Sequence, residues 1–190
     1  MPKQVDHDER RRQIGDAVCR VMATRGLDAV SLRHVAAEAG VSMGRVQHYF
    51  ATKDEMLLFA FNQISARVGD RIGAVHSADP RTYLRTLLLE LLPLSAAARL
   101  EAPVLAAFLA QAVVEPRLAA PLREGAPQMV AFVADLITQV RPGGDAEQDA
   151  MALLAFVDGL MMQMLIGQVS AEVAVELVDH QLCRVFVAAS

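Results

Sequence analysis

The feature that most constrains this chain is the punctuation of residues 31–55. Ser31, Gly40-Val41, Ser42 and Thr52-Lys53-Asp54-Glu55 follow one another at close spacing. Serine or threonine ahead of an apolar-periodic run caps a helix by accepting from an early backbone N–H, and Thr-x-x-Glu adds the reciprocal bond of a capping box. Glycine is the residue that tolerates a left-handed helix end. Together these predict a short helix over Leu32–Ala39, a tight turn at Gly40-Val41, a second short helix over Met43–Phe50, and a longer one opened at Thr52 and reaching His76. Helices this short are marginal in water and need packing to hold them. Val35, Ala36, Val41, Val46 and Phe50 stand where inward-facing anchors are required.

The flanks continue the pattern. Ile14, Ala17, Val18, Val21 and Met22 recur at three- and four-residue steps and predict an amphipathic helix from Asp8 to Arg25, stopped at Gly26. Asp79-Pro80 supplies a cap and an N1 proline for a helix over Arg81–Leu92. Further helices are expected from Ser95 or Ala96 to Val114, from near Pro121 to Val140, from the Asp145-Ala146-Glu147-Gln148 box to Gln168, and from Ser170 to about Ala188. Arg141-Pro142-Gly143-Gly144 is the clearest loop. Hydrophobic residues make up 54% of the chain and no strand-period alternation is long enough to read. The expected fold class is therefore all-α: an N-terminal three-helix helix-turn-helix domain over residues 1–53 and a helical domain over residues 54–190.

With Val46 and Phe50 turned inward, the second short helix leaves Met43, Gly44, Arg45, Gln47, His48 and Tyr49 outside. Donors, a glycine permitting close approach and an aromatic hydroxyl are what a helix reading base edges and phosphates requires. A helix-glycine-helix corner also occurs in ordinary bundles, but here it sits in a basic segment. Residues 1–53 hold nine Lys/Arg against six Asp/Glu, residues 54–190 nine against sixteen, so the net charge of −4 hides a basic head on an acidic body.

The density of these positions makes a family recognisable. Ile14, Ala17, Gly26, Ser31-Leu32-Arg33, Val35-Ala36, Ala39-Gly40-Val41-Ser42, His48-Tyr49-Phe50 and Lys53-Asp54-Glu55 resemble the N-terminal domain of the TetR family of bacterial repressors, over about residues 8 to 58. The resemblance implies an all-α homodimer whose C-terminal core binds a small organic effector and whose reader helix, Met43–Tyr49, is released from a palindromic double-stranded operator. Carried over by position, Ser31 and Arg33 contact phosphate. Met43, Gly44, Arg45, Gln47 and His48 face the major groove, with Ser42 at the helix start, and Tyr49 and Lys53 clamp phosphates. Gln47 stands where many members have tyrosine, and its amide suits adenine. Further on, Leu91-Leu92-Pro93-Leu94, Ala107-Phe108, Glu115-Pro116 and Asp158-Gly159-Leu160 are loosely similar to the BetI-like branch.

The body offers apolar walls with scattered polar groups, as a helix-lined pocket needs: Phe61, Arg67, Tyr83, Phe108, Gln111, Met129, Phe132 and Phe156 are the candidate effector residues. Helically spaced Met and Phe also make plain core. Met161, Leu165, Val169, Val173, Leu177, His180, Gln181 and Arg184 form a stripe that packs either within one protomer or across a four-helix dimer interface; the resemblance, not the periodicity, favours the dimer. Arg10, Arg11 and Arg12 read either as an arm on the DNA backbone or as a solvated helix start.

Other chemistry finds no support in the pattern. There is no nucleophile elbow, phosphate loop or paired metal-ligand spacing, so neither an enzyme nor a cofactor or metal site is expected; His34 reads as a helix-surface residue. Cys19 and Cys183 read as small hydrophobes in a reducing compartment. The charged N-terminus lacks an apolar leader. The most apolar stretch, Met151–Val169, carries Asp158, Gln163 and Gln168 and reads as a buried helix rather than a span, so a cytoplasmic protein without a membrane partner is expected. A rival reading, a helical dimer that has lost DNA contact, sits poorly with Arg45, Tyr49 and Lys53.

Overall fold

The computed structural model describes residues 2–75 and 79–187, with side chains from residue 7 onward. The chain runs α1 (Pro2–Arg25), a 3₁₀ turn (Leu27–Ala29), α2 (Leu32–Ala39), α3 (Met43–Tyr49), α4 (Lys53–Gly73), α5 (Pro80–Glu90), α6 (Ala96–Val114), α7 (Pro116–Val140), α8 (Ala146–Leu165) and α9 (Ala171–Val187). Among the described residues every regular element is helical, as the all-α reading requires.

The caps account for the boundaries. Ser31 Oγ accepts from the His34 N–H at 3.3 Å and Ser42 Oγ from the Arg45 N–H at 3.2 Å. Gly40 takes φ 66°, ψ 32°. Its N–H reaches the Ala37 carbonyl at 3.3 Å and the Val41 N–H reaches Ala36 at 3.0 Å, a Schellman ending that a Cβ at residue 40 would strain. The Glu55 N–H donates to Thr52 Oγ1 at 3.1 Å, while Glu55 Oε2 accepts from the Ala51 N–H at 2.8 Å. The box thus closes on the residue before the cap rather than on the cap itself. Asp79 accepts from the Arg81 and Thr82 N–H groups, with Pro80 in the N1 seat.

Several expected ends move: α3 stops at Tyr49 rather than Phe50, α5 at Glu90 rather than Leu92, and α8 at Leu165 rather than Gln168. α1 begins at Pro2, ahead of Asp8. α4 is helical to Gly73; the expected end, His76, lies outside the described residues, as does Ala188 beyond α9. α7 starts at Pro116 rather than Pro121, because the Glu115 carbonyl accepts from the Leu118 N–H at 3.0 Å and the Ala119 N–H at 3.2 Å. Pro116 thereby takes the favourable N1 place, and Pro121 and Pro127 ride inside the helix.

The chain divides into two compact units, one formed by the residues up to Arg67 with Pro103–Ala119, the other by Val68–Ala102 with the residues from Ala120 on. The first unit packs Ile14, Ala17, Val18 and Val21 of α1 with Val35, Val46, Phe50, Leu57 and Ile64 as its core. α1 approaches α4 closely: a Cβ on Gly15 would lie 2.0 Å from Gln63 Oε1 and 2.8 Å from the Phe59 ring. The second unit buries Leu84, Leu87 and Leu88 of α5, Leu153, Val157 and Leu160 of α8, and Val178 and Leu182 of α9.

Ion pairs stitch the second unit. Arg85 holds Asp179 bidentately, Nη2 to Oδ2 at 2.9 Å, which joins α5 to α9. Arg71 bridges Glu90 at 3.0 Å and the buried Glu101 at 2.9 Å. Arg141, just past α7, pairs with Asp149 and donates to the Val185 carbonyl at 2.8 Å. By length and composition α6, rather than the Met151–Val169 stretch, is apolar enough to cross a membrane. That helix nevertheless carries the ion-paired Glu101.

Candidate nucleic-acid interface

The first unit holds its two short helices from behind. Val46 and Phe50 are fully buried, and side chains of this size contribute roughly 1.5–3 kcal/mol each when taken from water. The Phe50 ring lies 5.3 Å from that of Phe59, and the Arg11 guanidinium sits 4.6 Å from the centre of the Phe59 ring and 5.3 Å from that of Phe50. Arg20 Nε clamps Glu38 Oε1 at 2.7 Å and ties α1 to α2. His34 Nδ1 donates to the Ala29 carbonyl at 2.7 Å and fixes the start of α2 against the 3₁₀ turn.

So anchored, α3 presents Met43, Gly44, Arg45, Gln47 and His48 to solvent, with Tyr49 half-buried. Arg33 and Lys53 are exposed beside it, at the starts of α2 and α4. Ser31 and Ser42 spend their lone pairs on capping, and each hydroxyl keeps its hydrogen to donate. Every residue expected to face DNA thus falls in the first unit, on α3, on the first turns of α2 and α4, or at the serine caps of α2 and α3. A rigid frame under a hydrogen-bonding outer face is the arrangement that base and phosphate recognition needs.

Residues 14–59 match the family described as "Bacterial regulatory proteins, tetR family", and residues 80–187 match "BetI-type transcriptional repressor, C-terminal". The chain belongs to the TetR family. The HTH-type transcriptional regulator PksA of Bacillus subtilis is 45% identical over 95 residues, 49% of this chain and 46% of PksA. The chain spans about half the length of the curated relatives it matches. A transcriptional regulator from Rhodococcus sp. RHA1 superposes with a TM-score of 0.88 at 32% identity, covering 94% of this chain and 96% of that one. The multidrug binding protein EbrR, solved with ethidium, superposes at 0.67 with 30% identity over 90% of this chain and 98% of its own. PksA, the Rhodococcus protein and the matched family are described as regulators of transcription, not enzymes.

In this TetR-family chain the candidate effector residues divide between the two units. In the first, the Phe61 and Phe108 rings stack at 4.4 Å with an interplanar angle of 12°, Arg67 pairs with Asp16 at 3.1 Å, and Gln111 is half-buried. In the second, Tyr83 meets the exposed Phe132 edge-on at 6.1 Å and donates to the Ile72 carbonyl at 3.3 Å; Met129 and Phe156 are half-buried.

The candidate dimer residues lie on α8 and α9 and on the short link between them. Met161 is turned inward, 4% exposed, because it falls on the same side as Leu153, Val157 and Leu160. Its neighbour Met162 stands instead on the outward stripe with Met151 and Ile166. On α9 Val173, Leu177, His180 and Arg184 are outward, and Leu165, Val169 and Gln181 are half-buried. A depression of about 430 Å³ on this face is lined by His180, Cys183, Arg184 and Val187. Asp158 is outward on α8, yet crowded enough that burial pushes its carboxyl up from the ordinary range.

Two features escape a reading of the sequence. Arg11 looks like one of three solvent cations but packs its guanidinium on two phenylalanine rings. His7 precedes the expected start of α1, yet its ring lies 4.6 Å from that of Tyr49. The helical step from His7 to Ile14 is the signal for both, once α1 is extended to Pro2.

Proposed function

We propose that this chain is a dimeric, ligand-responsive transcriptional repressor. Residues 1–53 serve as its DNA-binding domain and residues 54–190 as its effector-binding and dimerisation domain, and the protein works in the cytoplasm. The observation that carries the reading is the outer face of α3, where Met43, Gly44, Arg45, Gln47 and His48 stand in solvent above the wholly buried Val46 and Phe50. Arg45 and Gln47 read base edges, while Ser31, Arg33, Tyr49 and Lys53 hold phosphates. Two such helices, one per protomer, enter successive major grooves about 34–36 Å apart.

The apolar outward stripes of α8 and α9 support a second copy as the dimer partner, since a stable helical interface buries about 1,200 Å² or more around an apolar centre. A small organic molecule is the proposed effector; the ethidium complex of EbrR supports that ligand class. The effector acts by binding better to a state in which the two reader helices no longer match the groove spacing.

The test is a gel shift on the DNA upstream of the protein's own gene, with and without lipophilic organic cations. Binding that weakens steeply between low and physiological salt, and is released by one of the cations, is the expected result. Affinity indifferent to salt would remove the DNA reading; salt-sensitive binding that no small molecule releases would leave the DNA reading and remove the effector class.

A further inference from the structure

The interface described so far uses α2, α3 and the start of α4, but α1 reaches the same face. Three rings meet there: His7 lies 4.6 Å from Tyr49 and 6.1 Å from His48, and His48 lies 5.2 Å from Tyr49. Beside them a depression of about 400 Å³ is lined by Arg10 of α1 and by Arg45, His48 and Tyr49 of α3.

The arginine run that the sequence leaves open is divided by the fold. Arg11 is sandwiched against Phe50 and Phe59. Arg12 donates to the Asp8 carbonyl at 3.4 Å. Arg10 is exposed, touches Gln13 Oε1 at 3.3 Å, and faces the depression. The Arg10 guanidinium, the His48 imidazole and the Tyr49 phenol line one hollow with Arg45, the proposed base reader, and make a donor set suited to a phosphodiester oxygen.

We propose that this depression seats a backbone phosphate of DNA beside the groove that α3 enters, with Arg10 as a phosphate contact contributed by the first helix. His7 is a positioning residue: its ring packs on Tyr49 and holds the phenol at the rim. The proposal rests on the DNA-binding reading above and adds α1 to the elements that grip the duplex. Arg10 carries no sequence information, because a phosphate looks alike at every step.

The experiment measures anisotropy of two fluorescent duplexes of equal length, one from the DNA upstream of the protein's own gene and one scrambled, over a range of KCl. Arg10→Ala should weaken both duplexes by the same factor, roughly tenfold for one charge-assisted contact. It should also reduce the slope of log affinity against log salt by about 0.9 per protomer bound. Arg10→Lys should restore the slope. His7→Ala should weaken both duplexes less than Arg10→Ala does, and His7→Phe should recover the loss through ring packing alone.

If wild type binds and Arg10→Ala leaves affinity and slope unchanged, the phosphate seat is refuted while the α3 reading stands. A loss confined to the upstream duplex would make Arg10 a base reader and would also overturn the proposal. Inorganic phosphate added against chloride at matched ionic strength separates the two sources of the same chemistry. Release by phosphate of wild type but not of Arg10→Ala is the expected competition for the seat; phosphate that binds wild type without displacing either duplex would assign the hollow to a free anion and overturn the proposal. Wild type that binds neither duplex sinks the DNA reading itself, and the seat with it. Circular dichroism of each variant checks that the exposed positions have not disturbed the fold.

Discussion

α3 and the α8–α9 pair are both held from behind by a buried apolar face, yet they turn opposite chemistry outward. α3 stands on Val46 and Phe50 and shows Arg45, Gln47 and His48 to solvent. α8 and α9 stand on Leu153, Val157, Val178 and Leu182 and show Met151, Met162, Ile166, Val173 and Leu177. An outer face rich in donors is at ease in water and gains by exchanging water for phosphates and base edges. An outer face that recurs as an apolar stripe at helical spacing is not, and a large contiguous patch of this kind marks an interaction surface. The first suits a reader of DNA, as proposed, and the second suits a symmetric partner, because a two-fold contact sets the same stripe against itself.

The largest effect should come from breaking the apolar stripe. Leu177→Glu places a charge at its centre, and an unpaired charge buried in an interface is strongly destabilising, about 3–5 kcal/mol. Sedimentation should show a folded monomer, and operator binding should collapse although no DNA-facing residue has changed. A folded monomer that still binds a full palindrome as tightly as wild type contradicts the comparison. Phe50→Ala should come next. It removes the anchor beneath α3 and the platform for Arg11, at a cost of about 3–5 kcal/mol in thermal or urea unfolding. An unfolding midpoint within error of wild type would mean that the reader helix is not held as described.

How much of this was legible beforehand depends on the range of the forces involved. α2 has the limits its caps predict, and α3 ends one residue short of its own, because Ser31, Gly40 and Ser42 act on backbone groups a few residues away. Phe50 and Val46 were legible as anchors for the same local reason. Met161 was not, since a stripe of apolar residues on a helix says nothing of which edge meets the core; the packing of Leu153 and Val157 decides it. Arg11, His7, and the Gly15 approach to Gln63 depend on how α1 crosses α3 and α4, contacts between residues about 40 to 50 positions apart. The division of the effector candidates between two units is beyond any local pattern.

A smaller effect tests the polar face. Arg45→Ala should cost about 1–3 kcal/mol on the preferred duplex and narrow the gap to a scrambled one, as loss of a bidentate base contact does. Lys53→Ala should weaken both duplexes alike. Fluorescence anisotropy on the two duplexes separates these patterns. If both variants bind as wild type does with the fold unchanged, the polar face of α3 is not the reader.

The smallest effect lies in two carboxylates of the second unit with opposite shifts. The Arg85 guanidinium beside Asp179 holds that carboxyl below its ordinary range, whereas burial holds Asp158 above it. A lowered folded value means that Asp179 stabilises the fold fully above about pH 4, its ordinary value, and that this contribution is lost as pH falls through the lower one. A raised folded value has the reverse sign: the fold is favoured by Asp158 below about pH 4, and that advantage is lost as pH rises through the raised value. Asp179→Asn should therefore lower the melting temperature at neutral pH and converge on wild type in acid. Asp158→Asn should raise it at neutral pH and likewise converge in acid. The Arg85–Asp179 pair is about two-fifths exposed on each side, so solvent screening keeps its effect under about 1 kcal/mol. The two sites also sharpen the contrast between surfaces. Asp158 stands on the outward side of α8, so a second copy covering that stripe desolvates it further, and the gain from Asp158→Asn should grow with protein concentration. The Asp179 effect, internal to one protomer, should not. Scans of both variants at two concentrations check this, and an Asp158→Asn gain that ignores concentration would separate that residue from the dimer face.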